Sequence, residues 1–527
     1  MLTGQNWIGF NRSATGNETF QTFNPKLNLA NQITFTEADD AEIDSAIELA
    51  TKAFHELKSI PDSKIADFLD GAADEILALD QELLDTYMSE SGLPEGRAIG
   101  ERGRTVNQLR MFATLIREGS WVDARIDTAI PDRAPVPKSD LRKMNIGIGP
   151  IVVFGASNFP LAYSTAGGDT ASALAAGCPV IVKSHPMHAG TSELVAGAIV
   201  KAAKAHGMPE GIFSNLNSEG IEVGKKLASH AGVKGIGFTG SIRGGRALMD
   251  ISANRPEPIP VFAEMGSINP VILMPNKLKN EADQIAQTYA GSITLGTGQF
   301  CTNPGLVLGV KGADLNQFID SLGEAIVQID PMCMLHPNIS ANYNRGKKNM
   351  LTEGVRMIAE YDTPIQDNYA AQAVARVAGQ DFLANNKLHE EVFGPYSLIV
   401  ECDSMDQMDQ IIQGLQGQLT GTIMGGADEL SQNPEIIESM RDRVGRLIFN
   451  GVPTGVEVCP SMMHGGPYPA SSDNRFTAVG TDSIKRWSRP VSYQNWPNDL
   501  LPDALKNENP LNIVRRLNDV DTRDKIG

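Results

Sequence analysis

The sequence predicts an α/β fold with two parallel-sheet domains. Between residues 146 and 239, short apolar strands (146–156, 179–183, 211–216 and 233–239) alternate with segments of helical periodicity, the pattern of a parallel sheet joined by crossover helices. After Glu264 the alternation begins again, with strands at 269–275 and 305–310 and a helix between them. The chain has 527 residues, which exceeds what one hydrophobic core usually organises, so two or more domains are expected.

The segments on either side of this alternating region differ from it. The first 120 residues are predicted to be mostly helical, because apolar residues recur at three- and four-residue spacing over 41–57 and 63–92. Between 118 and 143 the periodicity weakens and prolines gather. This segment fits either a linker or an extended hairpin that packs on another subunit. The last 60 residues are rich in Pro, Arg and Asn and are expected to form an extended tail.

Composition and charge exclude several classes of function. Hydrophobic residues make up 41% and charged residues 20% of the chain, as in ordinary soluble enzymes. The net charge of −18 repels phosphate backbones and anionic membranes, so neither nucleic acid nor membrane is an expected partner. We find no secretion signal and no apolar run of about 20 residues. The five scattered cysteines predict no disulfide framework, no CxxC metal pair and a reducing cytoplasm.

Two segments carry residues suited to nucleophilic chemistry. Cys301 lies among small and polar residues in GTGQFCTNPG (296–305), where a thiolate could be exposed and approached by backbone N–H groups. Glu264 ends an apolar strand in FAEMGSINP (262–270), where a carboxylate could act as a general base with a raised pKa. Taken singly, each has an ordinary explanation: a small core thiol and a solvated or paired glutamate.

Three further segments are weak signals by themselves. Asn158, in FGASNFPLA (154–162), follows a strand at the sheet edge where α/β proteins bind ligands, and it could donate to an oxyanion or simply cap a helix. GFTGSIRGG (237–245) joins a strand to a helix start that suits a pyrophosphate, but it lacks the GxGxxG fingerprint. HEEVFGP (389–395) could be a charged loop.

The order and spacing of these motifs resemble the aldehyde dehydrogenase superfamily. VFGASNFP, VIVKSHP, GFTGS, EMGS, GQFC and EEVFGP follow one another as in that family, and the resemblance covers nearly the whole chain. It implies a Rossmann-like cofactor-binding domain (1–118 and 144–260) and a second α/β catalytic domain (261–465). It also implies a small oligomerisation element, formed by a hairpin (119–143) and a tail (466–527), and a homodimer or homotetramer.

The resemblance assigns a role to each matching residue. Cys301 matches the nucleophile and Glu264 the general base, while Asn158 and the Cys301 N–H match the oxyanion hole. The implied reaction passes through a thiohemiacetal, hydride transfer to the nicotinamide, and a thioester that water hydrolyses, without acyl transfer to coenzyme A. The implied cofactor contacts, at the riboses, the pyrophosphate and the nicotinamide, are Lys183, Ser184, Pro186, Gly224, Gly240, Ser241, Gly245, Glu391 and Phe393.

The stretches 101–110, 158–193, 464–472 and 489–502 resemble one branch of the family, the 2-oxoglutarate semialdehyde (2,5-dioxovalerate) dehydrogenases. Such a substrate bears a carboxylate, which a planar guanidinium binds through paired hydrogen bonds. Arg104 is the candidate; its other interpretation is a surface arginine paired with a glutamate. Phe159 and Val456 are expected to line the aldehyde tunnel. Long-chain or other aliphatic aldehydes are the alternative substrates.

The cofactor prediction depends on Pro186. NAD-preferring relatives often place a glutamate three residues after the ribose lysine, where it repels a 2′-phosphate. Here Pro186 stands at that position, after Lys183. This predicts that NADP is accepted and preferred, with NAD as a second cofactor; the other interpretation is that the proline merely relaxes the choice.

Two other classes of function compete with a dehydrogenase. A thiol esterase would use the same nucleophile without NAD(P). A structural protein would keep the fold without the activity. This is not expected here, because the chain retains Cys301, Glu264, Asn158 and Lys183. The chain also departs from the family pattern: Ser267 replaces a common glycine, and HGGP (464–467) replaces the commoner aromatic form. Both departures are expected to reshape the pocket.

Overall fold

The computed structural model describes residues 2–526 and arranges their strands in four sheets. In chain order the strands are β1 (Asn6–Ile8), β2 (Asn11–Ser13), β3 (Thr19–Asn24), β4 (Leu29–Thr36), β5 (Arg125–Asp127), β6 (Leu141–Gly147), β7 (Ile151–Phe154), β8 (Val180–Lys183), β9 (Phe213–Leu216), β10 (Gly235–Thr239), β11 (Val261–Glu264), β12 (Val271–Leu273), β13 (Leu306–Val310), β14 (Arg356–Glu360), β15 (Ala373–Ala378), β16 (Tyr396–Cys402), β17 (Gln418–Met424), β18 (Val444–Phe449), β19 (Ser488–Gln494), β20 (Arg515–Leu517) and β21 (Val520–Thr522).

The helices cover the two larger sheets. They are α1 (Asp40–Leu57), α2 (Asp62–Ala78), α3 (Asp80–Ser91), α4 (Glu95–Glu118), α5 (Gly168–Ala175), α6 (Ala189–Ala205), α7 (Glu222–Ser229), α8 (Ile242–Ala253), α9 (Pro275–Thr294), α10 (Ala313–Ile326), α11 (Pro337–Thr352), α12 (Gly379–Ala384), α13 (Met405–Gly414), α14 (Ala427–Ser431) and α15 (Pro434–Arg443). Within residues 2–526 no helix has the length and apolarity needed to cross a membrane.

The first sheet has the order β11-β10-β7-β8-β9-β1-β2, and β7 to β11 run parallel. The alternating strands and helices between 146 and 239 are therefore confirmed. Helices α2 to α6 pack on one face and α1, α7 and α8 on the other. Because both faces are covered, these strands are apolar throughout instead of alternating with polar residues.

The N-terminal region is less helical than predicted. Helices α1 to α4 fill residues 40–118, but β1 to β4 occupy the first 36 residues. These strands are short, and their buried and exposed residues alternate over too few positions to stand out in the sequence. The predicted strand 146–156 is also two strands, since the chain turns at Gly149, where φ is 128°.

The second sheet has the order β14-β15-β16-β13-β12-β17-β18, with β14 antiparallel at one edge. The predicted division between domains fell at residue 261. Strand β11 (Val261–Glu264) pairs with β10 of the first sheet, so the chain enters the second sheet only at Val271. The chain therefore passes from the first sheet to the second directly after Glu264.

A five-stranded sheet, in the order β19-β6-β5-β20-β21, stands apart from the two larger ones. Strands β5 and β6 pair antiparallel, and β19 from the C-terminal segment pairs antiparallel with β6 along its whole length. The predicted hairpin and tail thus form one sheet, to which β20 and β21 add the last two strands.

Candidate active site

The three predicted catalytic residues lie on loops where the two large sheets meet. Asn158 follows β7, Glu264 ends β11, and Cys301 precedes β13 after a turn of 3-10 helix at Leu295–Gly298. All three line one cavity of about 310 Å³. Asn158 and Glu264 lie at the carboxyl ends of β7 and β11, which β10 separates in the first sheet, and Cys301 comes from the second domain. The fold therefore brings together residues far apart in sequence.

The backbone around Cys301 is fixed by close contacts. Asn269, itself at φ 48°, donates from Nδ2 to the carbonyls of Cys301 and Asn303, both at 2.8 Å. Gly298 has φ 63°, and a Cβ there would lie 2.2 Å from the carbonyl group of Gly394. Only glycine fits this approach, which holds the nucleophile loop against the residues before β16.

A histidine that sequence reasoning missed completes the centre. His464 Nε2 lies 3.6 Å from Cys301 Sγ and 3.0 Å from each Glu264 carboxylate oxygen. Its hydrogen bond goes to Glu264 Oε1, and Oε2 has no hydrogen-bond partner. His464 and Glu264 are 1% and 4% exposed, so this contact is shielded from solvent.

His464 is positioned by the HGGP segment, which the sequence singled out only as a departure from the family. Residues 470–472 run antiparallel beside the end of β11: Met265 donates to Ala470 O at 2.8 Å, and Ser472 donates to Ala263 O at 2.9 Å. The backbone N–H of His464 donates to Thr477 Oγ1 at 2.9 Å. The segment therefore holds the imidazole against Glu264.

The expectation of a raised pKa for Glu264 is wrong. Burial is the largest influence and opposes its ionisation, but the interactions with His464, Cys301 and Arg486 together outweigh burial and hold the pKa of Glu264 below its ordinary value. Burial and the Glu264 charge raise the pKa of Cys301 well above that of a free thiol. The thiol is thus protonated in this arrangement, and its ionisation needs a proton acceptor.

Asn158 has one amide hydrogen engaged and one left for a ligand. Its Nδ2 donates to Gln299 O at 3.0 Å, two residues before the nucleophile. The turn after it is held by the buried Glu101 carboxylate, which accepts from the Leu161 and Ala162 N–H groups at 2.8 and 2.9 Å. Asn158 can therefore hydrogen-bond the loop and a developing oxyanion at once.

Four predicted cofactor residues line the same cavity, together with the catalytic residues: Gly240, Ser241, Glu391 and Phe393. Ser241 caps α8, accepting from Gly244 N at 3.1 Å. The remaining free N–H groups of this helix end suit a pyrophosphate. A Cβ on Gly240 would lie 2.7 Å from the Phe238 ring, so a side chain is excluded there. The cavity therefore fits the nicotinamide end of a dinucleotide.

The other predicted cofactor residues lie outside that cavity. Lys183 ends β8 and donates from Nζ to Ser218 O at 2.8 Å, and burial lowers its pKa to about 8. Ser184 donates to Asn217 Oδ1 at 3.1 Å, and Pro186 opens a 3-10 turn. Gly224 and Gly245 are packing positions, where a Cβ would lie 2.9 Å from Phe154 and 2.6 Å from Met265.

The predicted substrate residues fall next to the catalytic centre, away from the cavity. Arg104 Nη2 donates to Tyr163 Oη at 2.8 Å, and the Tyr163 ring lies 5.9 Å from the His464 ring. Phe159 packs edge-on against Tyr163 and Phe300. Among residues 2–526 Arg104 forms no ion pair, so the glutamate pairing considered for it is not found. Its Nε is buried without a partner.

A second arginine, which sequence reasoning missed, approaches the centre from β18. Arg446 donates to Pro453 O at 2.7 Å and Gly455 O at 3.0 Å, holding the loop that carries Val456. Burial lowers the pKa of Arg446, and an ionised Cys301 or Tyr163 would be near enough to raise it. No sequence motif marks this residue, because an arginine on a strand is ordinarily a surface residue.

Comparison with known proteins agrees with this geometry. The sequence matches the aldehyde dehydrogenase family over residues 10–487. It is 48% identical to alpha-ketoglutaric semialdehyde dehydrogenase 2 of Azospirillum brasilense, covering 98% of both chains. It is 43% identical to alpha-ketoglutaric semialdehyde dehydrogenase of Acinetobacter baylyi, covering 99% of both chains. The crystal structure of aldehyde dehydrogenase 21 from Physcomitrella patens with succinate has a TM-score of 0.77 at 19% identity, over 93% of this chain and 97% of that one, and supports the fold alone.

Proposed function

This chain belongs to the aldehyde dehydrogenase family and is an NAD(P)-dependent enzyme that oxidises an aldehyde to a carboxylic acid; from that premise we propose that it converts 2-oxoglutarate semialdehyde to 2-oxoglutarate. The observation that carries the proposal is Arg104, a half-buried cation without a carboxylate partner in residues 2–526, beside the nucleophile. The relatives that carry the name of this activity, at 48% and 43% identity, support it.

In the first step the Cys301 thiol loses its proton as sulfur attacks the aldehyde carbon. The proton passes to water in the cavity that Cys301 lines. His464 Nε2 does not accept it, because its N–H is donated to Glu264. His464 lies 3.6 Å from Sγ and holds the Glu264 carboxylate beside the thiol.

In the second step negative charge develops on the substrate oxygen. The unengaged hydrogen of Asn158 Nδ2 and the Cys301 N–H stabilise it, and one such donor contributes about 10²–10³ in rate. Bound NAD(P) supplies the hydride acceptor. The acyl group remains on Cys301 as a thioester.

In the last step Glu264 activates the water that hydrolyses the thioester. Its Oε2 has no hydrogen-bond partner, so it can accept a proton from a water directed at the acyl carbon. Hydrolysis releases the carboxylic acid, and acyl transfer to coenzyme A is not expected.

The far end of the substrate is a carboxylate, and we assign it to Arg104. The neighbouring Arg97 already pairs with Glu101 at 3.3 Å, whereas Arg104 donates to the neutral Tyr163 hydroxyl and forms no ion pair within residues 2–526. We also assign Phe159 and the loop at Val456 to the walls around this end of the substrate. Long-chain aldehydes remain the alternative substrates, and the half-buried Arg104 guanidinium disfavours them because their alkyl chains would leave its buried Nε without a partner.

We propose NADP as the preferred cofactor, with NAD as a second one. Pro186 places no carboxylate at the position that would repel a 2′-phosphate. The buried Lys183 and the Ser184 hydroxyl lie at the end of β8, where a ribose phosphate would be held. The ratio of kcat/KM for the two cofactors checks this proposal, and a clear preference for NAD would contradict it.

We also propose that the five-stranded sheet joins subunits into a homodimer or homotetramer in the cytoplasm. Strand β19 is a free edge of this sheet, and Leu141, Trp496, Leu500 and Val520 on the sheet and its connections are exposed. Unpaired edges and exposed apolar side chains favour association. Light scattering after size exclusion would measure the mass, and a monomer at micromolar concentration would contradict the proposal.

The substrate assignment is tested by a screen of NADP reduction with 2-oxoglutarate semialdehyde, succinic semialdehyde, glutaraldehyde and a long-chain aldehyde. We expect the highest kcat/KM for 2-oxoglutarate semialdehyde; activity with uncharged long chains alone would contradict the proposal. Cys301→Ala should abolish oxidation while cofactor still binds, and Cys459→Ala, at a second half-buried cysteine, should not. Product formed without NAD(P) would instead favour an esterase.

A further inference from the structure

The catalytic centre also has the composition of a zinc site. Glu264, Cys301 and His464 each offer one ligand atom, and these three atoms lie within 4.8 Å of one another. Within residues 2–526 this is the single group of three such side chains. Sulfur, imidazole nitrogen and carboxylate oxygen are the ligands that Zn²⁺ prefers, and three protein ligands with one open position form a recurrent zinc arrangement.

Two of the three ligand separations are close to those around one tetrahedral ion, and the third, between Cys301 Sγ and Glu264, is within 4.8 Å. Zinc bonds of about 2.3 Å to sulfur and about 2.0 Å to nitrogen and oxygen separate neighbouring ligand atoms by about 3.3–3.5 Å. The observed separations are 3.6 Å for Cys301 Sγ and His464 Nε2 and 3.0 Å for His464 Nε2 and Glu264. Side-chain rotations of a few tenths of an ångström correct these two pairs.

The charges of the ligand side chains and the cavity that leads to them favour binding of a dication. The Glu264 carboxylate faces the Cys301 sulfur in a buried site, so a thiolate there is opposed by a like charge. Zn²⁺ would balance one carboxylate and one thiolate with no net charge left over. Cys301 and Glu264 line the 310 Å³ cavity, which gives the ion an entry path, and His464 stands behind them.

We propose that Glu264, Cys301 and His464 together bind one Zn²⁺ ion reversibly, and that the bound ion holds the enzyme inactive. The thiol loses its proton to solvent as the Zn–S bond forms, so one proton is released per ion bound. The nucleophile and the base are both engaged while zinc is bound. A chelator then restores activity.

The test measures zinc alone, without aldehyde or cofactor, so its outcome is independent of the substrate assignment. Zn²⁺ is titrated into the enzyme against a chromophoric chelator, and Co²⁺ replaces it to detect a sulfur-to-metal charge-transfer band. We expect one ion per chain. Loss of an outer-shell partner already costs about 10–100-fold in affinity, so Cys301→Ser and His464→Phe should each weaken binding by at least about 100-fold and remove or shift the band.

Two controls keep the proposal falsifiable. Cys459→Ser changes another half-buried cysteine and should bind zinc as the wild type does. Glu264→Gln gives a second variant if His464→Phe does not fold, as judged by circular dichroism. Equal zinc affinity in wild type and Cys301→Ser, or a wild type that binds no zinc, would overturn the proposal.

Discussion

Cys301 borders two regions of opposite character. On one side lies the cofactor cavity, about 310 Å³, with glycine backbone and a helix end among its walls. On the other lies an aromatic–arginine cluster, formed by Arg97, Arg104, Phe159, Tyr163 and Phe300, in which rings pack at 5.1 and 5.5 Å and a guanidinium lies over two of them. The open region suits a large ligand held by main-chain donors, and the packed one suits a small anion held by a side chain.

Because the two regions differ in this way, a substitution in one region should alter the binding of its own ligand and leave binding in the other region unchanged. The proposed cofactor contacts are mostly backbone groups, strand ends and a buried lysine, so few substitutions there are informative. The proposed substrate contacts are side chains, so one substitution can change specificity. Glu264 lies between the two regions, so its loss should affect the reaction with every aldehyde and with both cofactors.

The largest effect is expected for Glu264→Gln, at the boundary between the two regions. Without a carboxylate to activate water, the thioester should persist, and the steady-state rate should fall by about 10²–10⁴ with every aldehyde and with both cofactors. Stopped-flow measurement should still detect one rapid turnover of NADPH per site.

Glu257→Gln is the matched control, because Glu257 is an exposed glutamate shortly before the same strand, paired with Lys234. It should retain the wild-type rate. A Glu264→Gln enzyme with no initial burst would show that Glu264 acts before hydride transfer, and a full steady-state rate would remove it from the mechanism.

The centre itself was only partly predictable from sequence. Asn158, Glu264 and Cys301 follow apolar strands whose carboxyl ends meet, so their motifs marked them. His464 is 163 residues from Cys301 and lies in a segment without helix or strand periodicity, and a few hydrogen bonds to the end of β11 place it. Because that neighbour was unseen, the pKa of Glu264 was predicted in the wrong direction.

The fold, too, was only partly predictable from the sequence. Strands buried on both faces were read correctly from 179 to 310, since their apolar runs are continuous. Strands β1 to β4 and the turn at Gly149 escaped prediction. The pairs β1–β2 and β3–β4 are local hairpins with few buried residues, so their sequence pattern is weak. Arg446 was missed because its position depends on a loop seven to nine residues further on.

An intermediate effect is expected for Arg104→Met, which changes the aromatic–arginine cluster alone. Loss of a charged hydrogen-bond donor to the substrate carboxylate should cost about 1.5–3 kcal/mol, a fall of roughly 10–100-fold in kcat/KM for 2-oxoglutarate semialdehyde. The value for an uncharged aldehyde of similar length should stay the same or rise, and cofactor affinity should not change.

Arg110→Met on the same helix is the control, since Arg110 faces solvent and pairs with Asp74. Arg104→Lys should fall between wild type and Arg104→Met, because it keeps the charge and loses the planar fork. Equal losses of kcat/KM for charged and uncharged aldehydes would mean that Arg104 only supports Tyr163. The aromatic–arginine cluster would then not select for a substrate carboxylate.

The smallest effect is expected on the cofactor side, from the titration of Lys183. Burial lowers its pKa to about 8, so the side chain is charged below that pH and neutral above it. The dissociation constant of NADP, measured by fluorescence titration, should therefore increase roughly 3–10-fold between pH 7 and pH 9, and that of NAD should change less. Burial lowers the pKa of the neighbouring His185 and His188 below 6.5, so they are neutral throughout this interval. Lys183→Arg stays charged and should flatten the NADP profile; a profile that Lys183→Arg leaves unchanged would place the 2′-phosphate elsewhere.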